Sequence, residues 1–267
     1  MAMGLRPLDI SRWLEIDEHR SAQLDLKRRL LEESRDVVVA TRPEADAASA
    51  ELLEEIRRWF ATFAPDLEVN STAGHPIVTA ARVVQEDLCV LLRDDAWRLQ
   101  AACVCFPSRW SLASKIGRTM DQIHAPIPGY GELLSVPTNA AFDRLKAERP
   151  FWRLNWTLID DASLHQPTSP RPLRGGSLGR DDLDLEDLDH DDLDHWFFRV
   201  ERQTIRRLPS SGAIVFTIHN YVASLEQLRG TPEFFEHLQL GIDTTPAPMQ
   251  EYKGWVGVAR RLREILN

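Results

Sequence analysis

The chain contains few cysteines and no long apolar run. Its 267 residues include three cysteines, Cys89, Cys103 and Cys105, and no two of them form a Cys-x-x-Cys pair. We therefore expect neither a disulfide framework nor a cysteine-ligated iron–sulfur cluster. No apolar stretch approaches the roughly 20 residues that cross a bilayer, and the opening residues lack the apolar core of a signal peptide. The sequence predicts a cytoplasmic protein that does not contact membranes.

Several common nucleotide and hydrolase motifs are also missing from the sequence. It contains no Gly-x-Gly-x-x-Gly after a strand, no Gly-x-x-x-x-Gly-Lys phosphate loop and no Gly-x-Ser-x-Gly elbow. Its eight histidines include no His-x-His or His-x-x-x-His pair, so a site with several histidine ligands would require residues that are distant in sequence. Dinucleotide, nucleotide and hydrolase functions therefore have no motif to support them.

The negative charge is local. The formal net charge is −9, and the segment from Arg180 to His195 alone holds nine acidic residues and one arginine. The remainder of the chain is close to neutral, and we expect no nucleic-acid partner. The segment of about 171–195 is predicted to be a solvated acidic loop. A calcium or partner site there is the alternative, although the turn glycine and closing glutamate of an EF-hand loop are missing.

The hydrophobic content of 43% is sufficient for a buried core, and the length suits one large domain. Helical periodicity predicts a charged helix from Asp17 to Arg35 and an amphipathic helix in "AELLEEIRRWFATF". These two helices are expected to form an N-terminal extension of about 65 residues that packs on the rest of the chain. Two C-terminal segments, "TPEFFEHLQL" and "PMQEYKGWVGVARRLREIL", are also predicted to be helical, and Trp255, Val258, Leu262 and Ile265 form a stripe on the second.

The centre of the chain is predicted to form a sheet. The runs "DLCVLL" and "WRLQAACVCF" indicate a hairpin, "RLNWTLID" a further strand, and "HWFFRVERQTIRRL" and "AIVFTIHNYV" a second hairpin across "PSSG". Alternation places Trp196, Phe198 and Val200 on one face with Arg202, Thr204 and Arg206. Because an inward-facing arginine needs an anionic partner or a polar cavity, this face is a candidate binding surface. The predicted fold class is α+β, with an antiparallel sheet surrounded by N- and C-terminal helices.

His124 lies at a predicted helix end. Ser111 is expected to cap a helix that runs through Met120, and Pro126 prevents its continuation. A haem requires one protein ligand to iron, an apolar pocket and cationic partners for its two propionates. His124 and the face that carries Arg202 meet these requirements together.

Four blocks of the sequence carry a resemblance to a known family. The blocks "LRPLDISRWLEID", "FPSRWSLASKIGRTMDQIHAPIPGY", "NWTL" and "RVERQTIRRLPSSGAIVFTI" resemble the haem-dependent oxidative N-demethylases, in particular their haem-binding alpha subunit. The resemblance spans nearly the whole chain. It implies a single haem-binding domain over residues 1–267 with a PAS-like antiparallel sheet, and a haem b whose iron has a histidine ligand.

Carried over from the family motifs, the resemblance implies His124 as the iron ligand and Arg202 as a cofactor contact. Arg206 and Arg118 are further cofactor-binding candidates, and the candidate catalytic residues are Tyr130, Glu132 and Glu201. Three of these residues have an alternative interpretation. His124 can be structural, Tyr130 can cap a loop instead of lining a pocket, and Arg202 can pair with Glu201 or Glu132.

Two other residues remain as alternative iron ligands. His219, in the strand "FTIHNY", has as its simpler interpretation a packed strand histidine. Cys105 as a thiolate ligand is disfavoured because no basic residue neighbours it in sequence, so a buried thiol is the simpler interpretation.

The reaction implied by the resemblance is oxidation of the N-methyl group of a methylated amine by dioxygen activated at ferrous haem, a monooxygenase-type oxidoreductase activity. The resulting carbinolamine breaks down to formaldehyde and the shorter amine. The resemblance implies a flavin-containing, nicotinamide-linked reductase as the external source of electrons. A haem-binding PAS-type sensor or carrier without turnover is the alternative function, and a structural homologue that has lost haem is the third possibility.

Overall fold

The computed structural model describes residues 4–67, 69, 74–167 and 195–255. The acidic segment up to residue 194, and Val258, Leu262 and Ile265 of the predicted C-terminal stripe, lie outside the described residues. The described elements are helices and one antiparallel sheet, which confirms the predicted α+β class. No helix in the described ranges combines the length and the apolar character that a membrane-spanning segment needs.

The described strands are β1 Arg6–Pro7, β2 Val39–Thr41, β3 Asp87–Arg93, β4 Trp97–Cys103, β5 Phe151–Ile159, β6 Phe197–Arg207 and β7 Ile214–Ser224. They form one seven-stranded sheet in the order β1-β5-β6-β7-β3-β4-β2. Both predicted hairpins are confirmed, and the register of the β6–β7 hairpin pairs Arg202 with His219. The two-residue strand β1 and the three-residue strand β2 lie at the edges.

Helices cover the sheet and confirm the predicted N-terminal pair and the helix at "TPEFFEHLQL". The α-helix bounds are α1 Arg20–Glu33, α2 Arg35–Val38, α3 Asp46–Phe63, α4 Pro76–Ala81, α5 Met120–His124, α6 Tyr130–Leu133, α7 Ser135–Arg144, α8 Pro232–Thr244 and α9 Ala247–Tyr252. Short 3₁₀ turns span Ile10–Arg12, Pro43–Ala45 and Leu112–Ser114. The predicted C-terminal helix ends early within the described residues, since α9 stops at Tyr252 and Gly254 has a positive φ of 70°.

The two faces of the sheet carry different covers. We call the face of Arg202, Thr204 and Arg206 the back face, where α1 and α3 bury an apolar cluster that includes Trp13. The front face carries Arg153, Glu201, Gln203 and Ile205, and its cover is the segment α5–α7, whose Phe142 and Leu145 pack against Ile205. A third cluster joins α8 and Trp255 to the end of β5.

The predicted helix from Ser111 through Met120 is wrong. The chain forms only a 3₁₀ turn at Leu112–Ser114, and α5 begins at Met120. The backbone between them extends the sheet edge instead, because Gly117 N donates to Leu99 O (2.7 Å) and Leu99 N donates to Arg118 O (3.1 Å). Gly117 has a φ of 76°, which a helical residue does not adopt. The Gly117 N–H and the Arg118 carbonyl therefore pair with β4 and are not available for helical hydrogen bonds.

Candidate functional site

His124 is the last residue of α5, as the proline argument predicted. Thr119 and Gln122 form a reciprocal capping box at the start of this short helix. The turn after it is closed by hydrogen bonds from Ile127 N to His124 O (2.9 Å) and from Tyr130 N to Ile127 O (3.1 Å). Gly129 then adopts a φ of 72°, which reverses the chain and starts α6 at Tyr130.

The reversal stacks Tyr130 on His124. Their ring centroids lie 4.7 Å apart with an interplanar angle of 16°. His124 Nδ1 lies 2.8 Å from the Met120 carbonyl oxygen. A carbonyl can only accept, so Nδ1 carries the proton and donates it, and in the neutral ring Nε2 holds the free lone pair. This is the tautomer that a histidine ligand to a metal through Nε2 requires.

The surroundings of His124 also keep its ring neutral. Burial lowers the pKa of His124 from its ordinary 6.5 to about 4, against the opposing effect of the Met120 hydrogen bond, and the positive charges of Lys115 and Arg153 lower it further. Burial likewise raises the pKa of the Tyr130 phenol, with a hydrogen bond to Thr138 acting the other way. Both rings are therefore uncharged at neutral pH, and the His124 lone pair is available without deprotonation.

A chain of polar side chains crosses the front face next to these rings. Arg153 Nε donates to Gln203 Oε1 (2.7 Å), Gln203 Nε2 donates to Glu201 Oε2 (2.8 Å), and Asn155 Nδ2 donates to the same carboxylate oxygen (3.2 Å). The structure thus brings Glu201 onto the face that carries Arg153. Among the described residues, the bond to Gln203 is the one hydrogen bond that the Arg153 side chain makes, so its two Nη groups remain free for an anion.

Arg153 is largely shielded from water, although a guanidinium is ordinarily solvated. Burial lowers its pKa, and Glu201 and Tyr130 oppose that effect. A guanidinium that is largely shielded from water and has spare donors gains more from an anionic ligand than an exposed one does. His124 and Arg153 together form a neutral nitrogen ligand beside an incompletely paired cation.

Arg202 lies on the back face, away from His124. Its Nε pairs with Glu15 Oε1 (2.9 Å), Nη1 donates to Trp13 O (3.4 Å) and Nη2 donates to Arg12 O. Its anionic partner is therefore Glu15, rather than the Glu201 or Glu132 that the sequence suggested. The structure does not bring Arg202 and His124 into one site.

Arg206, on the same face, is also engaged by the N-terminal layer. Its Nη2 pairs with Glu55, and its guanidinium stacks over the Trp13 ring at 4.5 Å. The two arginines that made this strand face cationic in sequence thus bind two carboxylates of the N-terminal extension.

Glu132 and Arg118 are exposed in the structure. Glu132 lies in α6, two residues after Tyr130. Arg118 contributes its backbone to the edge of β4, through the hydrogen bond that its carbonyl accepts from Leu99 N (3.1 Å). Neither side chain has a described hydrogen bond to Tyr130, His124 or Arg153.

His219 is fully buried on the back face between two carboxylates. Its Nε2 lies 3.0 Å from Asp17 Oδ2, and its Nδ1 lies 3.7 Å from Glu86 Oε1. Asp17 is itself held by Gln85 Nε2 at 2.7 Å. Because each ring nitrogen faces a carboxylate, this geometry is that of a packed strand histidine.

Cys105 is a buried thiol. Its Sγ lies 4.0 Å from Cys103 Sγ, and this contact, followed by burial, raises the pKa of the Cys105 thiol. Its backbone N donates to Asp87 Oδ1 (2.7 Å), and Phe106 N donates to Asp87 Oδ2 (2.9 Å). Burial raises the pKa of Asp87 to about 6. Because its pKa is raised, Cys105 remains a neutral thiol and does not provide a thiolate ligand.

Sequence reasoning missed Arg153 and Gln203. The stripe of Arg202 and Arg206 indicates one face of the strand as the binding face. The same alternation places Glu201 and Gln203 together on the opposite face, which is therefore an equal candidate. The signal that could have identified them is the polar alternation in "FWRLNW", where Arg153 and Asn155 share one face. In the register, Arg153 pairs with Gln203 and Asn155 with Glu201.

The residues around His124 fit a haem better than a metal ion bound by protein alone. No group of three or more His, Cys, Asp or Glu side chains in the described part of the chain can hold a metal ion. A haem needs one such ligand, and His124 offers Nε2 in the correct tautomer, with Arg153 as a cation for a propionate. The described cavities of about 260 Å³ and 420 Å³ lie elsewhere on the molecule, and His124 lines neither of them.

The family assignment follows from the match of the whole sequence. Residues 4–67 and 60–262 match the family described as "Haem-dependent oxidative N-demethylase, alpha subunit-like". These ranges cover most of the chain and include His124, Tyr130, Arg153 and Glu201. The chain therefore belongs to the haem-dependent oxidative N-demethylase alpha-subunit-like family.

Proposed function

We propose that this protein binds haem b through His124 and catalyses the oxidative N-demethylation of a methylated amine. The observation that carries the proposal is the geometry of His124, whose Nδ1 donates to Met120 O at 2.8 Å while burial keeps the ring neutral. When bound, the haem iron would supply the activation of dioxygen. The overall change consumes the amine, dioxygen, two electrons and two protons, and yields the shorter amine, formaldehyde and water.

The contribution of His124 is to provide a fixed, neutral ligand. The Met120 carbonyl fixes the tautomer and the orientation of the ring, and Tyr130 restrains it further by stacking on one side. A hydrogen bond to the far nitrogen also raises the basicity of the ligating nitrogen. Because α5 ends at His124 and the next turn is closed by backbone hydrogen bonds, the backbone that carries the ring is also held in place.

Arg153 is our proposed partner for a haem propionate. It carries two uncommitted Nη groups next to His124 and lies on the same face of the sheet. Arg202 and Arg206 do not enter this proposal, since Glu15 and Glu55 already occupy them. Arg118 is exposed and has no described contact with the rings.

Glu201 is our proposed group for orienting an ammonium substrate. Two amide donors, from Gln203 and Asn155, hold its carboxylate in place. A carboxylate fixed in this way attracts a protonated amine and can align its methyl group for oxidation. Tyr130 would contribute an aromatic wall, and the exposed Glu132 would act only at the entrance of such a site.

We further propose that the sheet is PAS-like and that residues 1–267 form a single domain. The support lies in the five central strands, β3 to β7. Numbered one to five in chain order, they follow each other across the sheet as 2-1-5-4-3, and every neighbouring pair is antiparallel. This is the strand order of PAS folds. The short strands β1 and β2 then extend that sheet at its two edges.

Electrons would come from a flavin-containing, nicotinamide-linked reductase. The family description as an alpha subunit supports a partner in trans. The sequence itself contains no nucleotide-binding glycine fingerprint and no Cys-x-x-Cys pair.

Formaldehyde release tests the proposal directly. The full chain, loaded with haem and supplied with dithionite-reduced flavin mononucleotide and dioxygen, should convert small mono-, di- and trimethylated amines to formaldehyde in proportion to bound haem. The same chain without haem should give only the background rate. Haem binding with no formaldehyde from any amine would favour the sensor or carrier function, and failure to bind haem would favour the structural homologue.

A further inference from the structure

The cavity of about 260 Å³ lies on the front face, between the end of α7 and β5. Its walls are mainly apolar and include Phe142, Leu145 and Ile205 of the front-face cluster, with Leu5 and Phe151 completing them. None of His124, Tyr130, Arg153 or Glu201 lines it. It is therefore a different space from the candidate haem site.

Three cations also line this cavity. Among the described residues that line it, the charged ones are Arg144, Lys146 and Arg149, and none is acidic. All three are exposed, and among the described residues none of them forms an ion pair. An apolar cavity bordered by three unpaired cations has a charge complementary to a molecule with an apolar body and an anionic head.

Hydrogen bonds hold the chain on both sides of the cavity. Arg207 donates to Leu145 O (2.6 Å), Phe142 O (2.7 Å) and Gly212 O (2.8 Å), which ties the end of α7 to the β6–β7 hairpin. On the other side, Leu8 N donates to Pro150 O (2.9 Å), and β1 pairs with the start of β5. Because both walls are held by hydrogen bonds, the cavity is already formed before any molecule binds. A preformed site reduces the entropy cost of binding.

We propose that this cavity binds a small amphipathic carboxylate, with the apolar body against Phe142 and Ile205 and the carboxylate among Arg144, Lys146 and Arg149. The volume admits about nine water-sized groups, which corresponds to a straight-chain or aromatic carboxylate of roughly ten non-hydrogen atoms. Such a ligand carries no N-methyl group and is not a substrate of the proposed reaction, and the cavity shares no lining residue with the proposed amine site. Its occupancy would be independent of haem.

Three probes separate the contribution of the apolar body from that of the anionic head, namely octanoate, octylamine and acetate. Isothermal titration of the full chain should give an octanoate Kd of about 1 mM or tighter. Octylamine has the same chain with a positive head, and acetate has the same head without the chain, and both should bind at least about tenfold more weakly. Equal binding of octanoate and octylamine would overturn the proposal, as would the absence of octanoate binding.

Exposed-residue variants test the location. Arg144→Ala/Lys146→Ala/Arg149→Ala should weaken octanoate binding about tenfold, since each exposed charge contributes modestly. The matched control Arg28→Ala/Arg29→Ala/Arg35→Ala removes the same charge from exposed positions on α1 and α2 and should leave the affinity unchanged. Ala141→Phe, which fills the cavity from α7, should also abolish binding, with circular dichroism confirming the fold of each variant. Unchanged affinity in the triple variant and in Ala141→Phe would overturn the proposal.

A comparison of two preparations separates the cavity from the haem site. The octanoate affinity should be the same for the chain with and without bound haem. Competition between octanoate and haem would show that the cavity is part of the cofactor site, and it would overturn the proposal of a separate site. Failure of haem binding alone would leave the octanoate result intact.

Discussion

Arg202 and Arg206 on the back face differ from Arg153 on the front face in how many of their donors are paired. On the back face, Arg202 and Arg206 pair with Glu15 and Glu55 of the N-terminal layer. On the front face, Arg153 makes one hydrogen bond, to Gln203, and its remaining donors have no described partner. Arg202 and Arg206 therefore attach the N-terminal extension to the sheet, whereas Arg153 has donors near His124 without a partner among the described residues.

The histidines of the two faces differ in the same way. His219 on the back face has a carboxylate near each ring nitrogen, at 3.0 Å and 3.7 Å. His124 on the front face donates from Nδ1 to a backbone carbonyl at 2.8 Å, and its Nε2 has no hydrogen bond among the described residues. A histidine enclosed by two carboxylates is engaged by the fold, while a neutral ring with a free lone pair beside an incompletely paired cation is a candidate for binding.

The largest effect on stability is expected from removing the ion pair between Arg202 and Glu15 on the back face. Arg202→Leu should lower the free energy of unfolding by about 2–4 kcal/mol, because it leaves Glu15 without its partner and removes two bonds to the N-terminal backbone. Urea unfolding measures this loss. The haem affinity of the folded fraction should stay within twofold of wild type, and a selective loss of haem affinity would instead place Arg202 at the cofactor.

The matched change on the front face is Arg153→Leu. It should weaken haem affinity by about 1–3 kcal/mol, since a charge-assisted bond to a propionate is lost, while the free energy of unfolding of the haem-free chain changes much less than in Arg202→Leu. Arg153→Lys should recover only part of the affinity, because a point charge does not reproduce a two-pronged donor. Haem titration followed by absorbance provides the measurement, and equal affinity in all three proteins would exclude the proposed contact.

The pH dependence of stability distinguishes His124 from Asp87. The folded-state pKa of His124 is lowered to about 4, so between about pH 4 and 6.5 the unfolded chain binds more protons there and stability falls as the pH falls. Asp87, with its pKa raised to about 6, acts in the opposite direction between about pH 3.8 and 6. Because solvent screens the half-buried ring, the His124 effect should be about 1–2 kcal/mol.

The variant His124→Gln should remove that part of the pH dependence. Its free energy of unfolding should change less between pH 7 and pH 4.5 than that of the wild type, as measured by urea unfolding of the haem-free chain. Asp87→Asn should do the reverse and make the acid loss steeper. Parallel pH curves for wild type and His124→Gln would contradict the assignment of a buried, neutral ring.

The smallest effects are expected at the exposed candidates. Arg118→Ala and Glu132→Gln should each change the free energy of unfolding and haem affinity by less than about 0.5 kcal/mol, since both side chains are exposed and neither has a described hydrogen bond to His124, Tyr130 or Arg153. Paired measurements of unfolding and haem titration check this. A tenfold loss of haem affinity in Arg118→Ala would return that residue to the cofactor site.

Local patterns in the sequence predicted most of the elements. The periodicity of α3, the hairpins β3–β4 and β6–β7 and the end of α5 at His124 depend on neighbours within a few residues, so they can be read from sequence. The helix proposed from Ser111 fails because Gly117 and Arg118 hydrogen bond to Leu99, about 20 residues away in the chain. Such pairing leaves no local signal.

The choice between the two faces also depends on distant residues. Glu15 lies 187 positions before Arg202, and nothing in the strand of Arg202 indicates that a carboxylate from the N-terminal layer will meet it. Alternation shows that residues 202 and 206 share a face, but not what covers that face. The dependence of the candidate site on the segment around His124 stays a prediction from the sequence, whereas Arg153 became visible only from the register of β5 with β6.

The absorption spectrum of His124→Gly, with and without imidazole, tests the central claim most directly. Full-length wild type mixed with haem should show a Soret band typical of histidine ligation that shifts on reduction with dithionite. His124→Gly should lose this spectrum while its circular dichroism stays that of a folded protein, and millimolar imidazole should restore it by replacing the missing ring. An unchanged haem spectrum in His124→Gly without imidazole would contradict the account and show that another residue ligates the iron.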